Sequence, residues 1–165
     1  MNTMMTDEQL DNLLAKDEKP PVWILYGTHT GNSEQLAKDT AEEFSKKGVN
    51  AHISNMEDFD TNLLSDIRRL LIIVSTDGEG EPPLMAEDLL EYLQSEKAPD
   101  LSGLSYSILA LGDTTYFDFC QAGKDFDSAL EKLGAKRILN RMDCDVDFEE
   151  NYKEWIDTLL KMETC

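Results

Sequence analysis

Along the chain, short apolar runs alternate with stretches in which apolar residues recur every three or four positions. Val22–Tyr26, Val49–Ser54, Leu70–Ser75, Tyr106–Leu111 and Arg137–Leu139 read as five strands. The third run, LLIIVS, is apolar almost throughout, which predicts a strand covered on both faces in the middle of a parallel sheet. Between the runs, Ser33–Lys47 places Leu36, Ala37, Thr40, Ala41 and Phe44 on one helical face and stops at Gly48. Leu84–Gln94, Gly123–Leu133 and Phe148–Met162 read as the remaining helices. Strands alternating with helices imply an α/β domain: a doubly wound, five-stranded parallel sheet with helices on both faces. Upstream, Thr6–Ala15 reads as a short helix, with Thr6 and Gln9 at capping-box spacing and a stripe of Leu10, Leu13 and Leu14. A charged linker ending at Pro20-Pro21 follows it. The expected division is a loosely attached segment over 1–20 and one folded domain over 21–165.

Composition narrows the classes. The 165 residues suffice for one domain with a proper core. No apolar run approaches the roughly 18 residues of a membrane span, and the N-terminus has neither the basic start nor the apolar core of a secretory signal. Cys120, Cys144 and Cys165 are odd in number and far apart, which suits free thiols in a reducing, cytoplasmic setting. With two histidines and no paired cysteines, no metal site is expected. The loudest number is charge: 34 acidic against 15 basic residues, net −19. Nucleic acid and anionic membranes would be repelled, whereas a basic-faced protein would be steered in. Solubility alone also accounts for such a surplus.

In a doubly wound sheet, ligands sit beyond the carboxyl ends of the strands where the strand order switches. Three loops occupy such positions. The first carries Thr28, His29, Thr30, Gly31, Asn32 and Ser33, hydroxyls and amides crowded at the start of a helix without a Lys or Arg. That composition suits an anion held by dipoles and neutral donors, although Asn32 or Ser33 could simply cap the helix. The chain has no Gly-Lys-Ser/Thr of a P-loop, and Gly27 and Gly31 do not make a dinucleotide fingerprint. The second loop, Ser75, Thr76, Asp77, Gly78 and on to Pro83, is either an acidic turn or a backbone surface for a flat ligand, with Gly78 free to flip its peptide. The third runs from Leu111 and Gly112 through Asp113, Thr114, Thr115, Tyr116, Phe117, Asp118 and Phe119 to Cys120. Core packing explains one or two of its three aromatics; a stacking platform explains Tyr116 beside the threonines.

Taken together, "LYGTHTGNSEQLA", "STDGEGEPP" and "LALGDTTYFDFCQAGKDFDSALEKLGAKRI" resemble the FMN-binding, flavodoxin-like domain of diflavin reductases, closest to the branch of the sulfite reductase flavoprotein subunit. The resemblance runs from about Pro21 to Met162 with the motifs in order. It implies the strand order 2-1-3-4-5 and FMN as cofactor. Thr28–Ser33 match the family's phosphate loop. Ser75, Thr76, Asp77 and Gly78 match the loop under the flavin ring, and Leu111 to Cys120 the loop over its other face, with Tyr116 at the stacking aromatic. Two positions depart from the common pattern. His29 stands where the family often has glutamine, and Asp77 where many relatives have an aromatic; the sulfite reductase branch is often polar there.

The implied role is one-electron transfer with no catalytic side chain, from an FAD/NADPH-binding reductase module to a haem or sirohaem acceptor with a basic face. The chain has no room for that reductase module, so it is expected to be an electron-transfer part of an NADPH-dependent reductase and not a complete enzyme. A free-standing flavodoxin-like shuttle and a flavin-free interaction module are the alternatives. A signalling receiver domain would need an acceptor Asp where Tyr26-Gly27 stand.

Overall fold

The computed structural model describes residues 6–7, 20–76 and 80–163. The expected N-terminal helix and linker fall almost wholly outside the described residues, as do Asp77, Gly78, Glu79 and Cys165.

Strands β1 (Val22–Gly27), β2 (Ala51–Asn55), β3 (Arg69–Ser75) and β4 (Ser105–Leu111) are all parallel. The order is β2-β1-β3-β4-β5, where β5 is the short strand Lys136–Arg137, with a further strand also pairing β4. Helices α1 (Asn32–Lys46), α2 (Glu87–Gln94), α3 (Gln121–Lys132) and α4 (Glu149–Glu163) make the crossovers. Side chains alternate across β3, so Leu70, Ile72 and Val74 enter one core and Leu71 and Ile73 the other. The first core is closed by Leu89 and Leu93 of α2 and Phe126 and Leu130 of α3. The second is closed by Leu36 and Phe44 of α1 and Trp155 and Leu159 of α4. Each fully buried aliphatic of this kind stabilises the fold by about 1.5–3 kcal/mol.

Two parts of the chain depart from the pattern reading. The helix expected over Leu84–Gln94 begins as a 3₁₀ turn, Leu84–Ala86, and another 3₁₀ turn, Thr61–Asp66, stands where no element was expected. More consequentially, the fifth strand is in two pieces, β5 (Lys136–Arg137) and β6 (Met142–Cys144), both parallel to β4. A buried charge explains the interruption. Asp127 of α3 is almost inaccessible to solvent. Its Oδ1 accepts from Arg137 Nη2 at 2.7 Å and from the Tyr106 hydroxyl at 2.5 Å, and its Oδ2 from Arg141 Nη1 at 2.6 Å. Arg141 also pairs with Asp143 at 2.7 Å. Both arginines flank the break, and satisfying one buried carboxylate takes precedence over a continuous strand.

Candidate functional site

Four loops meet at the carboxyl edge of the sheet and line a cleft of about 490 Å³, within the roughly 300–1,000 Å³ usual for small-ligand sites. Its walls include His29, Thr30 and Asn32 from the loop after β1, Ser75 and Thr76 at the end of β3, and Leu111, Gly112, Asp113 and Tyr116 after β4. Asp145, Val146 and Phe148, after β6, form the fourth wall. Those three were missed as site residues. The strand-end rule would have found them, but a fifth strand read as Arg137–Leu139 ended five residues too early to point there.

The first loop is built around one glycine. Gly31 is the residue before α1 and has φ +95°, a left-handed conformation that side chains resist, while a Cβ there would meet open space. The turn's geometry, not crowding, therefore selects glycine. The Gly31 amide donates to Thr28 Oγ1 at 2.7 Å, but no side chain caps the helix. Ordinary capping by Asn32 or Ser33 is thus not how these residues are used. Ser33 is completely buried in the first turn of α1, and its Oγ has no hydrogen-bond partner among the described residues. A buried hydroxyl left unpaired costs about 1–3 kcal/mol, so it points to a ligand acceptor. First-turn amides, hydroxyls and an orphaned buried Oγ, with no Lys or Arg lining the cleft among the described residues, form a donor set that fits a phosphate through neutral groups.

The residues at the end of β3 are already tied in place. Ser75 Oγ donates to Gly27 O at 3.4 Å, and Thr76 Oγ1 accepts from the Ala122 amide at 3.0 Å. The β4–α3 loop spreads its candidates over three environments. Tyr116 lines the cleft and is 50% exposed, whereas Phe117 is 99% exposed and lies outside the lining. Phe119 packs half-buried against the core, and Cys120 is fully buried, its Sγ directed at the carbonyls of Ala110 and Cys144. At Gly112 a Cβ would stand 2.9 Å from that sulfur. Cys120 therefore packs under the loop and not along the cleft. Burial, reinforced by Asp143, pushes the thiols of both Cys120 and Cys144 up to about 12.

The acidic residues also divide. Asp113 Oδ1 accepts from the Thr115 amide and hydroxyl, at 2.9 and 2.6 Å. Asp145 takes the Thr114 hydroxyl at 2.6 Å, the Thr114 amide at 3.0 Å and the Val146 amide at 2.8 Å. The Thr114 hydroxyl, then the two amides, hold the Asp145 carboxyl below its usual range. Asp143 is paired with Arg141. These three carboxylates are thus committed to partners within the protein.

Fold and cleft together define a doubly wound α/β domain that binds an anionic ligand at the switch in strand order. The flavodoxin family pattern matches residues 24–155, and the chain belongs to that family. FMN is the family's cofactor and the cofactor of this chain. The chain is 47% identical over 140 residues to the sulfite reductase [NADPH] flavoprotein alpha-component of Bacillus subtilis, covering 85% of this chain and 23% of that protein. It is 38% identical over 160 residues to the protein of the same name in Mannheimia succiniciproducens, covering 96% of this chain and 27% of the relative. The chain thus spans about a quarter of the length of these relatives. Oxidised Flavodoxin 2 from Bacillus cereus superposes with a TM-score of 0.72 at 25% identity, over 85% of this chain and 95% of that one. The fold, its strand order and the family resemblance expected from sequence are all borne out. Among the described residues no helix is long and apolar enough to cross a membrane.

Proposed function

We propose that this chain is the FMN-carrying electron-transfer domain of a sulfite-reductase-type system, receiving electrons from an FAD/NADPH-binding module and delivering them to a haem or sirohaem protein. The observation that carries this reading is the buried Ser33 hydroxyl, without a hydrogen-bond partner among the described residues, at an uncapped helix N-terminus beside the cleft. When bound, FMN supplies one-electron redox chemistry that no side chain can perform. Thr28, Thr30, Asn32 and Ser33 hold the phosphate with hydroxyls, an amide side chain and the first-turn N–H groups. Ser75 and Thr76 lie at the floor under the ring. Tyr116 packs against its other face, with Gly112, Asp113, Thr114 and Thr115 shaping the turn that carries it.

Among the described residues no Lys or Arg lines the cleft, which bears on the redox role. A cationic phosphate clamp would raise the local potential and favour added negative charge. Here Asp113 and Asp145 border the cleft, and their fields oppose it. Side chains therefore bias the site toward releasing electrons. Glu81, Asp118 and Asp147 extend the negative surface toward a basic-faced acceptor, which is steered in at low ionic strength. Identities of 47% and 38% to the sulfite reductase relatives, against 25% to Flavodoxin 2 of Bacillus cereus, favour a domain working beside a reductase module over a free-standing shuttle.

The test begins with the colour of the purified protein and the flavin released on heating. Bound FMN and one-electron steps in anaerobic photoreduction support the carrier. Electron delivery to a basic haem protein should slow as salt is added. A colourless chain that takes up no added FMN would overturn the proposal in favour of an interaction module. Delivery rates indifferent to salt would remove the acidic docking surface.

A further inference from the structure

The fourth wall of the cleft contains a tie that neither the family assignment nor the sequence pattern singles out. The β4–β6 ladder ends at the pair Leu111 and Cys144, with a last backbone bond from the Gly112 amide to Cys144 O at 2.9 Å. Beyond it the two chains separate, and the Asp145 side chain takes over. Its two oxygens receive three donors, the amide and hydroxyl of Thr114 and the amide of Val146, at 2.6–3.0 Å. Three donors and no acceptor around one carboxylate match its ionised form.

Among the described residues, few other hydrogen bonds tie this turn to the rest of the protein. It is closed internally by the Tyr116 amide donating to Asp113 O at 3.0 Å and by the Thr115 amide and hydroxyl donating to Asp113 Oδ1. None of these bonds anchors it to the rest of the protein. Burial does not anchor its tip either, since Tyr116 is half-exposed and Phe117 is outside in solvent. We propose that Asp145 is a positioning residue for the flavin-ring half of the site, latching the Gly112–Tyr116 turn to the neighbouring loop so that Tyr116 is preset against the ring. This rests on the reading that FMN occupies the cleft. It gives Asp145, whose two oxygens accept from Thr114 across the cleft edge and from Val146, a part in cofactor retention.

The test is titration of the flavin-free protein with FMN and with riboflavin, followed by flavin fluorescence. Riboflavin shares the ring and lacks the phosphate. Asp145→Ala should weaken both flavins by the same factor, on the order of tenfold, and alter the visible band shape set by Tyr116. Asp145→Asn, which keeps an acceptor for the two amides, should recover part of the loss. Thr114→Val should weaken both flavins less than Asp145→Ala, and the double variant no more than Asp145→Ala alone. The flavin-free variants should melt close to the wild type. Wild-type affinity in Asp145→Ala overturns the latch, as does a loss confined to FMN, or full additivity of the two substitutions. Should Asp145→Ala fail to fold, Thr114→Val alone still decides, because equal affinity there removes the tie. A wild-type chain that binds neither flavin overturns the cofactor reading and the latch with it.

Discussion

Replacing Ser33 with alanine should move stability and cofactor affinity in opposite directions. The Ser33 Oγ is fully buried and has no hydrogen-bond partner among the described residues. Leaving such a hydroxyl unpaired costs about 1–3 kcal/mol, and alanine in the first turn of α1 adds a few tenths of a kcal/mol of helix propensity. Flavin-free Ser33→Ala should therefore be more stable by about 1–2 kcal/mol, which raises the melting temperature by roughly 2–6 °C for a domain of this size. FMN binding should show the reverse. A hydrogen bond to a charged group contributes about 1.5–3 kcal/mol, so affinity should fall roughly ten- to a hundredfold. Riboflavin should bind both proteins equally. Thermal unfolding of the flavin-free proteins and fluorescence titration with each flavin provide the readouts. A flavin-free variant less stable than the wild type would mean that the hydroxyl already has a partner. Unchanged FMN affinity would mean that the phosphate sits elsewhere; either result refutes the reasoning.

Three further outcomes follow from the geometry. Asp127→Asn breaks a buried cluster with two arginines and a tyrosine, and urea unfolding should show a loss of about 3–5 kcal/mol. Unchanged stability would mean that the cluster does not hold the split fifth strand. Cys120 and Cys144 should resist alkylation at neutral pH until the protein unfolds, because burial moves them from 9.0 to about 12. Their folded value lies above their unfolded one, so the stability they contribute is complete below pH 9 and declines between 9 and 12. Native labelling at pH 7 would contradict this. Tyr116→Ala should weaken FMN by about 0.5–1.5 kcal/mol beyond the lost contact area, and wild-type affinity would show that the ring packs on something else.

The sequence by itself determined the architecture. Local patterns suffice for that, since an unbroken apolar run such as Leu70–Ser75 is stable only between two covered faces, and each helix carries its own stripe and stop. It also determined which three loops to examine, because the strand-end rule acts on element order alone. Asp77 and Gly78, read there as the floor of the site, lie outside the described residues. What the tertiary structure decided depends on pairs distant in the chain. Asp127 reaches Arg141 and Asp145 reaches Thr114, contacts 14 and 31 residues apart in sequence that no periodicity encodes. The first splits the fifth strand, and the second converts an apparent surface charge into a fastening of the cleft. Only packing could separate Tyr116, Phe119 and Cys120 into cleft wall, core edge and core. Neighbours in sequence share a loop, but each side chain's surroundings are supplied by whichever strand or helix the fold brings against it.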